Sequence, residues 1–129
     1  MDGVFDLFHV GHIDAIKQCN QLGTSIIGVI SDHDAEKYKR KPIINESHRV
    51  EMVRSCKYVN DVIYPAPLQL TEQFIHNNNI DIVVHAFFDQ EDFEKQKSFF
   101  ENINLKRIEY SNRISTTEII KLCNEHYEI

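Results

Sequence analysis

The 129-residue chain contains no apolar run near the roughly 20 residues that a bilayer-spanning helix needs, and no charged start followed by a hydrophobic stretch marks a signal peptide. Its three cysteines, Cys19, Cys56 and Cys123, are an odd and scattered set, which argues against a disulfide framework and fits a reducing compartment. Basic residues are the minority, 14 against 20 acidic ones. The resulting charge of −6 argues against general nucleic-acid binding, which needs clustered cations. The expectation is a soluble, cytoplasmic chain with no membrane segment. At 42% hydrophobic residues it is long enough for one domain over residues 1–129 with a real core, and too short for two of ordinary size.

What is present begins at the second residue. In Asp2-Gly3-Val4-Phe5-Asp6-Leu7-Phe8, the glycine lets the backbone approach a ligand, and the amides of Val4 to Asp6 can turn toward anionic oxygens. A helix predicted from near His12 would then point its amino terminus at the same place. His9 and His12 are three apart and share a face where that helix begins, with Gly11 leaving no side chain between them. Two imidazoles beside an anion-binding loop point to chemistry on phosphorus. No cysteine stands at a zinc-ligand spacing from them, so no metal site is assigned. One basic knot, Lys37, Lys39, Arg40 and Lys41 around Tyr38, follows a predicted strand, the place where open α/β sheets bind ligands.

Helical and apolar segments alternate along the whole chain. Helices are predicted over 12–22, 46–56 with Asn45 as cap, from 70 or 71 to the Asn77-Asn78-Asn79 cluster, over 89–102 and over 115–126. Strands are predicted over 24–31, 58–64, 80–85 and 105–110, too apolar for one-sided exposure. The architecture expected is α/β, a Rossmann-like doubly wound parallel sheet with helices on both faces. An apolar strand leading into Asp2-Gly3 is missing or truncated.

The string DGVFDLFHVGH resembles the signature of the cytidylyltransferases, which join a cytidylyl group to an alcohol phosphate. Three further segments are similar to that family's motifs in the same order: KYKRKPIINESHR, SCKYVNDVIYPAPLQLT and RISTTEII. The resemblance implies attack of an alcohol-phosphate oxygen on the α-phosphorus of CTP with release of pyrophosphate, in phospholipid precursor synthesis. It assigns His9 and His12 to the pentacoordinate phosphorus, and Lys39 to bridging the two anionic substrates, with Lys41 the near alternative on the acceptor side. Gly3, Val4, Phe5, Asp6, Gly11, Lys57, Arg113, Ser115, Thr116 and Thr117 fall to the nucleotide, and Asp2 and His85 to the acceptor. Mg²⁺ accompanies CTP, no tightly bound cofactor is expected, and a homodimer pairing near Lys57 to Asp61 is implied.

The chain departs from the family's pattern at several places. Lysine replaces arginine at Lys57, Leu68 stands where the family bears tryptophan, Ala86 follows His85 in place of an acidic residue, and the family's RTEG reads Tyr110-Ser111-Asn112-Arg113, which displaces the arginine to Arg113. Phosphoethanolamine and phosphocholine are the favoured acceptors. Glycerol 3-phosphate, adenylyl transfer on another substrate, and a catalytically impaired nucleotide-binding or interaction protein on the same fold are the alternatives.

Overall fold

The computed structural model describes residues 1–127, so the last two residues of the expected 1–129 domain lie outside it. The elements are β1 (Asp2–Gly3), α1 (Val10–Leu22), β2 (Ile26–Val29), α2 (Asp32–Tyr38), α3 (Glu46–Arg54), β3 (Asp61–Ile63), α4 (Glu72–Asn77), β4 (Val83–His85), α5 (Gln90–Gln96), a 3₁₀ turn (Lys97–Phe100), β5 (Leu105–Arg107) and α6 (Thr116–Tyr127). All strand pairing is parallel. β1 pairs with β2 through Asp2 opposite Gly28, β2 with β3 through Ile27 opposite Val62, and β4 with β5 through Val84 opposite Lys106.

The alternation of strand and helix is therefore as expected, and α2 is the helix the periodicity did not predict. Its seven residues, DHDAEKY, bury only Ala35, too little to leave a periodic signature. Local chemistry sets its ends: Ser31 Oγ accepts from the Asp34 amide, and the Lys39 amide closes on Ala35. Asn45 caps α3 as predicted, accepting from the His48 amide at 3.0 Å. Asn79, at φ +54, ends α4 in the left-handed region that asparagine tolerates. The helix expected over 89–102 breaks instead into α5 and the 3₁₀ turn.

β1 is short rather than absent. The Gly28 amide donates to Met1 O at 2.8 Å and the Ile30 amide to Gly3 O at 3.0 Å, so the first residues enter the sheet before turning into the histidine loop. Two residues do not reach across to β4, and the pairing divides into a three-stranded and a two-stranded sheet. One apolar cluster still joins them, with Val84 of β4 packed among Ile27, Val29, Ile16, Cys19 and Val53. Behind Met1 a slot of about 380 Å³ opens between β2 and β4, lined by Cys19, Ile26, Ile75, Val83 and Val84 among others.

Adding a β-prone apolar segment of about five to eight residues, the usual strand length, upstream of Met1 is expected to fill this slot and raise the melting temperature. Thermal denaturation of the extended and present chains, melting alike, would contradict that reading.

Candidate active site

The carboxyl ends of the strands open into a cleft of about 480 Å³. Its wall is built from the loop after β1, the first turns of α1 and α6, Lys39 and Arg40 after α2, His85 and Ala86 at the end of β4, and Tyr110 after β5. Of the residues assigned from sequence, it gathers Asp2, Gly3, Val4, Phe5, Asp6, His9, Gly11, His12, Lys39, His85, Ser115, Thr116 and Thr117.

Three assigned residues do not line it, each for a physical reason. Lys57 enters β3 from its amino-terminal end, opposite the cleft, and sits 5.1 Å over the Tyr58 ring. Arg113 is drawn onto α1, its guanidinium 2.9 Å from Asp14 and largely exposed. Lys41 is exposed beyond the rim, so the basic knot divides, with Lys39 and Arg40 turned to the cleft. Tyr110 and Ser111, which line the cleft, were not assigned; Ser111 Oγ donates to Asp14 Oδ2 at 2.7 Å. No local pattern marks them, since they reach the site only when α6 folds back on α1.

The loop between β1 and α1 holds Phe5 at φ 56 and Leu7 at φ 55, conformations that bulky residues rarely adopt. Asp6 over-determines it. Its buried carboxylate accepts from the Ile43 amide at 2.8 Å, the Ile44 amide at 2.9 Å and the Leu7 amide at 3.1 Å. Those bonds occupy the carboxylate, so Asp6 shapes the loop rather than offering that group to a ligand. Arg49, 1% exposed, completes the clasp by donating to Val4 O (2.7 Å), Ile30 O (2.8 Å) and Ile44 O (2.9 Å) and pairing with Asp32 at 2.6 Å.

The two histidines cap α1 themselves. The Gly11 amide donates to His9 Nδ1 at 3.0 Å, and the His9 amide donates to His12 Nδ1 at 3.2 Å. An Nδ1 that accepts carries no proton, so both neutral rings are Nε2–H tautomers, and Nε2 is a donor. His9 Nε2 lies 3.2 Å from Thr116 Oγ1, whose own hydrogen goes to Asp6 O at 3.0 Å, so the imidazole is the donor in that contact too. The rings stack at 3.8 Å with a 21° tilt, and Phe8 and Phe5 pack on His12. Gly11 is required by space: a Cβ there would lie 2.7 Å from Ile114 O.

Charge in the cleft is arranged for an anion. The first turns of α1 and α6 both line it, bringing the positive ends of two helix dipoles, and Ser115 Oγ caps α6 by accepting from the Glu118 amide at 3.1 Å. Burial first, then the neighbouring His9 and the charge of Lys39, push the His12 pKa down to about 3. Burial lowers that of His9. Lys39 keeps exposed surface at the rim, yet desolvation lowers its ammonium pKa, with Asp92 opposing. Among the described residues no three His, Cys, Asp or Glu side chains gather as a metal site.

A model of the cytidylyltransferase-like family matches residues 1–122. The chain is 35% identical over 128 residues to an ethanolamine-phosphate cytidylyltransferase of Dictyostelium discoideum, covering 93% of this chain and 34% of that protein. It is 37% identical over 130 residues to choline-phosphate cytidylyltransferase 2 of Arabidopsis thaliana, covering 92% and 42%. The chain thus spans well under half the length of these relatives. In structure it resembles a lipopolysaccharide core biosynthesis protein from Thermoplasma volcanium GSS1, at a TM-score of 0.67 and 23% identity over 86% of this chain and 94% of that one; this supports the α/β fold.

A histidine neutral when folded and protonated when unfolded stabilises the fold above its unfolded pKa, and that stability drains as pH falls from about 6.5 toward the folded value. His12 and His85, pushed down to about 3 and about 4, both act this way, while Asp2, raised to about 6 by burial, acts oppositely between about 4 and 6. The two histidines outweigh the one acid, so the melting temperature is expected to fall between pH 7 and pH 4.5. Replacing His12→Asn should flatten that slope; an unchanged slope would contradict the burial of a neutral His12.

Proposed function

The chain belongs to the cytidylyltransferase-like family, and from that premise we propose that it transfers the cytidylyl group of Mg–CTP to an alcohol phosphate, releasing pyrophosphate. Phosphoethanolamine and phosphocholine are the acceptors its relatives' names favour, and the product class is a precursor for phospholipid synthesis. The observation that carries the reading is the pair of fixed Nε2–H donors at the mouth of α1.

An acceptor phosphate oxygen attacks the α-phosphorus, the bond to the bridging oxygen breaks, and pyrophosphate leaves. Negative charge spreads over the equatorial and leaving oxygens, so the protein's task is positioning and electrostatic stabilisation. Two rigid donors serve that task and need no proton transfer: the acceptor is already an anion. The amides opening α6, with Thr116 and Thr117, are proposed to hold the triphosphate, and the loop of Gly3 to Asp6 to hold the nucleotide. Lys39 stands between the anions and lessens their repulsion. Mg²⁺ enters on the triphosphate as part of the substrate. A binding module has no need of donors locked in one tautomer, which favours the enzyme over the impaired relative.

The homodimer is retained as a proposal. β3 forms an edge of the three-stranded sheet, and Met52 and Tyr64 beside it are 49% and 42% exposed.

Pyrophosphate release measured across a nucleotide and acceptor panel tests the activity. Turnover is expected with CTP only, and only when an alcohol phosphate is present. Binding of CTP without turnover by any acceptor would overturn it.

A further inference from the structure

α6 carries the threonines proposed to hold the triphosphate, yet its own packing holds it weakly. None of its residues from Thr116 to Tyr127 is buried. The sheet also releases the chain well before α6 begins. The Ile108 amide donates to His85 O at 3.0 Å, and residues 109–115 then run without helix or strand. A segment with no ladder of its own is held by whatever its side chains and backbone groups meet.

What they meet is one face of α1. The Glu109 amide donates to Gln18 Oε1 at 3.1 Å, and Gln18 Nε2 donates back to Glu109 O at 2.8 Å. One turn earlier on the helix, Asp14 Oδ2 accepts from Ser111 Oγ at 2.7 Å and Asp14 Oδ1 from Arg113 Nη1 at 2.9 Å. Ile114 O then crosses so close to Gly11 that a Cβ there would lie 2.7 Å away. Beyond it, Thr116 Oγ1 donates to Asp6 O at 3.0 Å and meets His9 Nε2 at 3.2 Å. Gly11, Asp14 and Gln18 share a helical face. Residues 109–114 are thus a strap laid antiparallel along α1, from its second half back to its first turn.

The links of this strap are unequal. The Arg113 side chain is 62% exposed, and an ion pair so open to water contributes little. The Asp14 carboxylate is more sheltered, and its short bond from Ser111 belongs to the stronger, charge-assisted class. Ser111 also lines the cleft and accepts from the Arg113 amide at 3.3 Å, turning the chain toward α6.

Resting on the transferase reading above, we propose that Asp14 is a positioning residue for the nucleotide. Through Ser111 it holds the strap on α1, and so sets the start of α6 beside His9, where the triphosphate binds. Gln18 anchors the far end of the strap. Arg113 serves this clasp and not the triphosphate.

The sign of the effect separates anchoring from charge. A carboxylate near an anion site repels the anion, so on charge alone its removal would tighten CTP binding. As an anchor, its loss weakens it. Alanine is favoured within a helix, so Asp14→Ala leaves α1 intact. It is expected to raise both the calorimetric Kd and the KM of CTP about tenfold, the worth of a hydrogen bond to a charged group. Asp14→Asn keeps an oxygen for Ser111 and is expected to bind CTP as tightly as the parent. The acceptor KM and kcat should change far less, because the Gly11 amide holds the His9 ring independently. In a Thr116→Val background, Asp14→Ala should cost little more, since both act through one contact. Gln18→Ala should weaken CTP binding in the same direction and by less. Unchanged or tighter binding in Asp14→Ala, an equal loss in Asp14→Asn, or a larger loss in Arg113→Ala than in Asp14→Ala would overturn the role. A parent protein that binds CTP but turns over no acceptor would overturn the transferase reading alone, and the Kd values would still decide the part played by Asp14. A parent that binds no CTP would overturn both.

Discussion

A single buried guanidinium holds the working end of this fold together. Arg49 ties α3 to four places in the chain: the loop after β1 through Val4, the end of β2 through Ile30, the start of α2 through Asp32, and the residues before α3 through Ile44. Burying a cation is costly, and the cost is offset because all three guanidinium nitrogens meet acceptors, one of them a carboxylate. Asp6 grips the same chain segment from the other side, through the amides of Ile43 and Ile44. Between these two clasps the loop keeps Phe5 and Leu7 in left-handed backbone, and that bend delivers His9 to the start of α1. Lysine at position 49 would keep the charge and lose the fork.

The same electrostatics then serves two purposes. Helix amino termini and Lys39 make the cleft attractive to an anion, and burial, with the neighbouring His9 and Lys39, keeps His12 unprotonated. The backbone finishes the arrangement, because the amides of His9 and Gly11 occupy the Nδ1 atoms and leave each Nε2–H as a fixed donor. A donor whose orientation is already set requires no reorganisation as charge develops on phosphorus. Across the cleft, His85 lacks any such backbone partner on Nδ1 and faces a carboxylate instead. His9 and His12 are thereby set as donors by their backbone neighbours alone.

Much of this was legible in the chain because the informative residues are contiguous. His9, Gly11 and His12 are within one turn, and the order of strands and helices follows from apolar periodicity everywhere but at α2. Ser115 with Glu118 reads as a cap and is one. What was not legible depends on contacts between distant segments. Asp6 was assigned to the nucleotide because it lies in the loop, and only the fold reveals that its carboxylate is spent on Ile43 and Ile44. Arg113 was assigned to the nucleotide from its place in the motif, and only the fold pairs it with Asp14, 99 positions earlier. Lys57 was misplaced because a motif carries no record of which end of a strand it adjoins. The strands are shorter than their apolar runs, since Tyr58 and Asn60 form a turn in which Asn60 and Ser25 hydrogen-bond to each other.

The claim on which all else rests is that His9 and His12 act on the transition state and not merely as caps of α1. It is tested most directly by measuring kcat and CTP affinity together for His9→Asn and His12→Asn, since asparagine can still accept the capping amide bond while placing no donor at the Nε2 position. The account predicts losses of kcat on the order of 100-fold to 1,000-fold for each variant, with CTP affinity little changed. Turnover within a few-fold of the parent in both variants would contradict it.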